Sequence, residues 1–245
     1  MSQVTNSMGT VAITYNDRGG PEQVSYPNGR TVHYGFNSDN QRSFTADSHG
    51  YNVTYQYNQK KQLAAVTYTS TGRPVVQFEY NSRGLLSHKI LGNGAFSTFT
   101  YIDDTTDLST VTNYNSNGTL SSYYSYDYDV KGRIMQISTS EGNWTFGYDP
   151  AGQMIEWTNP DGDVTTYSYD GRSNRVVMTE NGRESGYETN SVNQYISFNQ
   201  SDHFSYDANG NLIRKLSRGR NESFWYDAEG KLIQTEIPGK QYVSN

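Results

Sequence analysis

Phe204-Ser205-Tyr206-Asp207-Ala208-Asn209-Gly210-Asn211-Leu212-Ile213 decides how this chain folds. The rings of Phe204 and Tyr206 alternate with a serine, so both leave one face of an extended strand. Asp207 suits the first position of a type I turn, where its side chain bonds the backbone ahead, and Gly210 suits the fourth. Leu212-Ile213 then resumes apolar chain. A ring strand, a turn and an apolar return make a β-hairpin. The same phrase stands at Tyr126 to Gly132, Phe146 to Gly152 and Phe224 to Gly230, followed by Ile134-Met135, Met154-Ile155 and Leu232-Ile233.

With the second ring as anchor, degenerate copies extend the array to Tyr15, Phe36, Tyr57, Tyr80, Tyr101, Tyr128, Tyr148, Tyr169, Thr189, Tyr206 and Tyr226. The spacing stays near 21, with a gap of 27 that points to an insertion near Asp103 to Ser116 and a short step of 17 after Thr189. Self-similarity of this period is the mark of a repeat architecture. A second turn signal follows each anchor, as in Asn28-Gly29, Asn93-Gly94, Asp161-Gly162 and Asn181-Gly182, and such pairs are strong hairpin signals. Two turns per repeat leave two strands of about seven residues. The chain therefore reads as all-β, some twenty strands in one antiparallel meander over residues 1–245, with no helix.

Composition agrees. Tyr is the dominant ring, at 22 residues against 3 Trp, and an aromatic fraction of 14% argues against disorder. A formal charge of −6 without long runs of either sign excludes a nucleic-acid footprint. Arg214, Lys215, Arg218 and Arg220 read as a solvated hairpin face. The absence of cysteine excludes disulfides and thiolate metal sites or nucleophiles. No apolar run is long enough for membrane insertion, and the opening MSQVTNSMGT lacks the features of a leader.

The Tyr-Asp-x-x-Gly-x-Leu phrase resembles the YD repeat of RHS proteins, bacterial toxin-complex shells and animal teneurins, over nearly the whole chain. The stretch from Tyr148 to Lys215, with YDPAGQMIEWTNPDGDVTTYSYD and FSYDANGNLIRK, resembles the teneurin type most. The resemblance implies hairpins wound into a hollow shell, one that encloses a toxin in bacteria and forms part of an extracellular adhesion module in animals. Full shells use several times as many repeats, and no self-cleaving C-terminal core segment is visible. About twenty strands at about 4.8 Å give a sheet edge near 100 Å, enough to curl into a barrel about 30 Å across. The competing architecture is a β-propeller, since two repeats match one four-stranded blade.

For chemistry the chain offers no nucleophile elbow, phosphate loop or metal motif. His33, His49, His88 and His203 are scattered, and Asp103, Asp104 and Asp107 lack the alternating ligands of a calcium loop. No enzyme, metal or cofactor is expected. Trp144 is in step with Phe146 and Tyr148 and reads as core. Trp225 falls between Phe224 and Tyr226 and points the other way, and Trp157 sits just before the turn at Asn159 to Gly162. An outward indole beside polar side chains is what sugar stacking uses, so Trp225, Trp157, Asp161 and Arg220 are the candidate ligand residues. The expectation is a lectin-like or adhesion module, extracellular or on the cell surface, with glycans or cell-surface glycoproteins as partners and a homodimer among its assemblies. The alternatives are a scaffold fragment of a larger RHS- or teneurin-type protein and a hydrolase acting on glycans.

Overall fold

Alternating rings and small polar residues can place their rings together only on extended chain. The computed structural model describes residues 2–6, 9–227 and 230–243, and these form 24 strands with no helix among them. Within each of two units, strands pair antiparallel with their chain neighbours, as a meander requires. Their contacts fall into two units, Met1–Asp127 with Ser138–Ser140, and Tyr128–Ile137 with Glu141–Asn245.

In the first unit Asn52–Tyr57 pairs with Leu63–Tyr68, setting Val53 opposite Tyr68 and Tyr55 opposite Val66. In the second, Val164–Tyr169 pairs with Arg175–Glu180, setting Tyr167 opposite Met178. The stretch Asp103 to Ser116, expected to be an insertion, contains the strand Leu108–Tyr114, paired on both sides. Tyr114-Asn115-Ser116-Asn117-Gly118 is itself an anchor and turn, with Leu120 opposite Tyr114. The gap of 27 is thus two half-repeats.

The core is thin. Among the described residues the buried apolar side chains are Val32, Val53, Ala65 and Val66, all in the first unit, and only Val53 is fully enclosed. The buried residues of the second unit are Thr165, Ser185 and Ser197. Half-buried rings take the place of an aliphatic centre, which tyrosine tolerates when its hydroxyl finds a partner.

The turns behave as their residues dictate. At Asp149 the Gly152 N–H donates to the Asp149 carbonyl at 3.0 Å and the Asp149 N–H to the Gln153 carbonyl at 2.9 Å. Gly152 takes the left-handed conformation, at φ 90°, as a type I turn closing on a bulge requires. Gly132 and Gly210 repeat this, and so does Gly230, although Ala228 and Glu229 within the last turn lie outside the described residues.

These conformations set a pair of opposite expectations. Gly182 sits at φ 81° with open space around it, so Gly182→Val is expected to destabilise by about 1–3 kcal/mol through backbone strain alone. Ser173 occupies the equivalent of a turn glycine at φ 69°. Ser173→Gly is therefore expected to stabilise by roughly 1 kcal/mol. Denaturant midpoints moving in opposite directions would bear this out, and midpoints moving together would count against it.

Candidate functional site

The polar groups of the repeat are engaged with one another before any ligand arrives. The anchor hydroxyls of Tyr57, Tyr80 and Tyr101 donate back to the carbonyls of Arg42, Leu63 and Leu86 at 2.8–2.9 Å. Tyr148, Tyr169 and Tyr206 do the same to Ile134, Met154 and Tyr195 at 2.6–2.9 Å. In the other direction Gln41 and Gln62 donate their amides to the carbonyls of Lys61 and Gly84, both at 2.7 Å, in the next turn. Six anchors are thus tied to the strand before them and two turns to the turn after them.

The turn carboxylates are also satisfied locally. Asp207 Oδ1 accepts the N–H groups of Asn209 and Asn211, both at 2.9 Å, and Oδ2 accepts from the Asn211 side chain. Asp170 is held in the same way by Arg172 and Asn174. These bonds, first the side-chain amide and then the backbone, hold both carboxyls below the ordinary value of 3.8. Asp129 and Asp47 are lowered mainly by the backbone N–H of Arg133 and of Tyr51. A group whose value is lower folded than unfolded stabilises above its unfolded value and loses that contribution as pH falls toward the folded one. Stability is therefore expected to hold from pH 7 to about 5 and to decline below about pH 4. Asn16, Asn58, Asn81 and Asn190 stand at the same turn position and accept the same bond. An Asp170→Asn, Asp207→Asn double variant should consequently lose less stability between pH 5 and 3 than the parent, as followed by thermal melts.

The two residues that open the strand after each repeat turn are split between two faces. A register shift precedes each anchor, as at Gly147/Tyr148, where Tyr148 faces Met154 and Gly147 faces Glu156. The extra residue, Ile155, joins Glu156 beside Gly147, on the face away from the rings. The corresponding residues of the first unit are Glu22, Ser43, Ala64, Ser87, Ser109 and Ser121. In the second unit they are Ile155, Val176, Ile196, Ile213 and Ile233. The four isoleucines are exposed. The sequence showed only undivided apolar pairs.

The four predicted ligand residues do not meet. Trp157 lies opposite Phe146 on the ring face, stacks on Trp144 with centroids 5.4 Å apart, and donates its indole N–H to the Tyr167 hydroxyl at 2.9 Å. It is a packing residue, contrary to the expectation of an outward indole. Trp225 is 40% exposed on the opposite face, across from Gln234. Arg220 belongs to the same strand, Arg220–Tyr226, at an odd separation from Trp225 and so on the other face. Asp161 is exposed within the turn whose Gly162 N–H donates to Asn159. Among the described residues no group of three or more His, Asp or Glu side chains could hold a metal ion.

One place departs from the repeat, and sequence reasoning marked it only as a degenerate copy. Thr189 stands where an anchor tyrosine should, and the hairpin that follows closes tightly through Asn199 and Gln200, at φ 50° and 54°. That shortening accounts for the step of 17. The Tyr195 hydroxyl takes over part of the missing contact by accepting the Arg175 N–H at 3.2 Å. Beside it Tyr187, Tyr195, Phe198, Phe204, Tyr206 and Leu212 line a cavity of about 340 Å³. The Arg175 guanidinium lies 4.2 Å from the Tyr167 ring centroid and 5.9 Å from that of Tyr187, and its Nε–H is buried without a hydrogen-bond partner.

The family model described as Teneurin YD-shell matches residues 110–242, more than half of the chain. Double-stranded DNA deaminase toxin A of Burkholderia cenocepacia is 31% identical over 122 residues, 49% of this chain and 7% of that protein. The crystal structures of TcdB2-TccC3-TEV and TcdB2-TccC3 superpose with TM-scores of 0.72 and 0.71 over 96% and 97% of this chain. The chain spans only 16% and 17% of theirs, at 14% identity, so that likeness is one of fold. The matched segment, its anchors and its turns together assign the chain to the teneurin YD-shell family.

Proposed function

We propose that this chain is a stretch of wall in a larger YD-repeat protein, a non-enzymatic scaffold that shields an enclosed passenger. The observation that carries this reading is the direction of the polar groups. Anchor hydroxyls and turn amides are committed to the neighbouring repeats, so the chemistry of the chain builds continuity. The Burkholderia cenocepacia relative is named for a DNA deaminase, and the match takes up 7% of it. Zinc deaminases hold their metal through cysteine and histidine, and this chain has no cysteine. On this reading the repeat segment belongs to the carrier part of such a protein.

The lectin reading loses its site, because the residues that would form it lie on two faces and Trp157 is packed against Trp144. The test is protection. In the full polypeptide that carries this segment, protease should spare both the repeats and whatever they enclose, while the excised passenger is cut readily. Cleavage of the passenger at one rate in both contexts would overturn the wall reading, as would a saturable hit for this chain on a glycan array.

A further inference from the structure

The hollow at the break in the repeat is walled by the rings of Tyr187, Tyr195, Phe198, Phe204 and Tyr206, with Leu212 beside them. Their hydroxyls are already engaged: Tyr206 donates to the Tyr195 carbonyl at 2.8 Å, Tyr195 accepts the Arg175 N–H at 3.2 Å, and Tyr187 donates to the Met178 sulfur at 3.9 Å. Ring surface is what remains for an occupant. Tyr187 meets Tyr195 at 53° and Phe198 at 46°, with centroids 5.3 and 4.9 Å away. Rings tilted in this way wall a space instead of filling it by stacking. At about 340 Å³ that space is at the small end of ligand sites.

Other copies of the repeat show what rings at this position hold. Arg42 stands opposite the anchor Phe36 and lays its guanidinium 4.3 Å from the centroid of Tyr34, two residues before that anchor. Arg175, opposite Tyr169, does the same to Tyr167 at 4.2 Å. Leu212 holds the corresponding position opposite Tyr206 and brings no charge to Phe204, the ring two residues before. Ring faces attract cations through their quadrupole, and the charges nearby agree. Asp202 lies opposite Phe198 and two residues from Phe204, on their face of the sheet. Of the neighbouring cations, Lys215 is drawn to Glu222 at 3.9 Å and Arg175 is stacked on Tyr167. An ammonium with N–H groups would leave them unpaired against this lining, which is costly, whereas a quaternary ammonium has none to satisfy. We propose that this cavity is an aromatic cage for a quaternary ammonium group, held against Phe204, Phe198 and Tyr187 with Asp202 at the rim. Such a group is found on choline-type solutes and on trimethylated lysine side chains. The site is independent of the wall reading.

The test is calorimetric titration of the intact chain with choline and with 3,3-dimethylbutanol, its neutral counterpart of the same shape. One saturable site is expected, with choline preferred about tenfold, the scale of a desolvated cation–π contact. Ethanolamine, which carries N–H donors in place of the methyl groups, should bind more weakly than choline. Phe204→Leu keeps apolar surface but removes a ring face and should erase the preference for the cation. A peptide bearing trimethyllysine identifies the source: affinity well above that of choline assigns a protein side chain, and affinity no higher assigns a small solute. Equal or tighter binding of the neutral alcohol or of ethanolamine would overturn the proposal. So would the absence of saturable binding of both choline and the methylated peptide below about 10 mM, since tighter affinity is within reach of a formed pocket. The comparison of small ligands uses the unaltered chain, so a variant that fails to fold leaves the test intact.

Discussion

Trp157→Ala is expected to lower stability by about 2–4 kcal/mol, somewhat below the 3–5 of a fully buried tryptophan because both indoles are half-buried. Three losses combine. Trp144 loses the ring stacked on it at 5.4 Å, the Tyr167 hydroxyl loses the indole N–H at 2.9 Å, and Phe146 loses its cross-strand partner. Trp225→Ala removes an indole that is 40% exposed, and a surface substitution of that kind is expected to cost less than about 1 kcal/mol. Urea denaturation of the two variants separates them, since the slope should stay constant and the midpoint should move only for Trp157. Equal shifts would mean that the two indoles do not lie on different faces.

Gly92→Ala is expected to be as damaging for a different reason. A β-carbon added there would sit 2.1 Å from the Pro74 carbonyl oxygen and 3.4 Å from that of Val75. Both obstacles are backbone, so no rotamer change relieves them. The Gly92 N–H also donates to the Val75 carbonyl at 2.9 Å, and a shift that relieves the clash weakens that bond. Overpacking with a strained hydrogen bond should cost about 2–4 kcal/mol. Gly186→Ala is the matched control, because nothing lies within 4 Å of its added carbon and its φ is ordinary for a side chain. Its melting temperature is expected to stay near that of the parent. A Gly92 variant melting with the control would contradict the close approach of the two strands.

Much of this fold was legible because the turn chemistry is local. Asp149, Pro150 and Gly152 state a type I turn within four letters, and the structure builds it there. Ring parity was equally legible where no bulge intervenes, as for Trp144 with Phe146 and Tyr148. The face of Trp157 was not legible from its place before a turn, because the extra residue at Ile155 interrupts the alternation between Met154 and Glu156 and brings the indole to the ring face. Tyr114 was absorbed into an insertion because its half-repeat lacks the usual spacing, although its Asn115 to Gly118 turn follows the same rule. The cavity was illegible for a further reason. It depends on Tyr195 reaching across to Arg175 in place of Thr189, a contact between strands that no single motif encodes.

The backward reach of the anchor hydroxyls has a consequence for how such a chain is made. Each acceptor carbonyl lies 11 to 17 residues earlier in sequence than its tyrosine. Within each unit, the bonds that fasten a new hairpin therefore point to polypeptide that has already left the ribosome. Synthesis at roughly 5–20 residues per second delivers a repeat every few seconds, while a hairpin closes in about 1–10 μs. The chain can add one hairpin at a time as it emerges, leaving a single fresh strand edge open at any moment. Exposed edges invite aggregation, and growth in this order adds none beyond the outer edge of the first strand and that of the newest one, however many repeats follow.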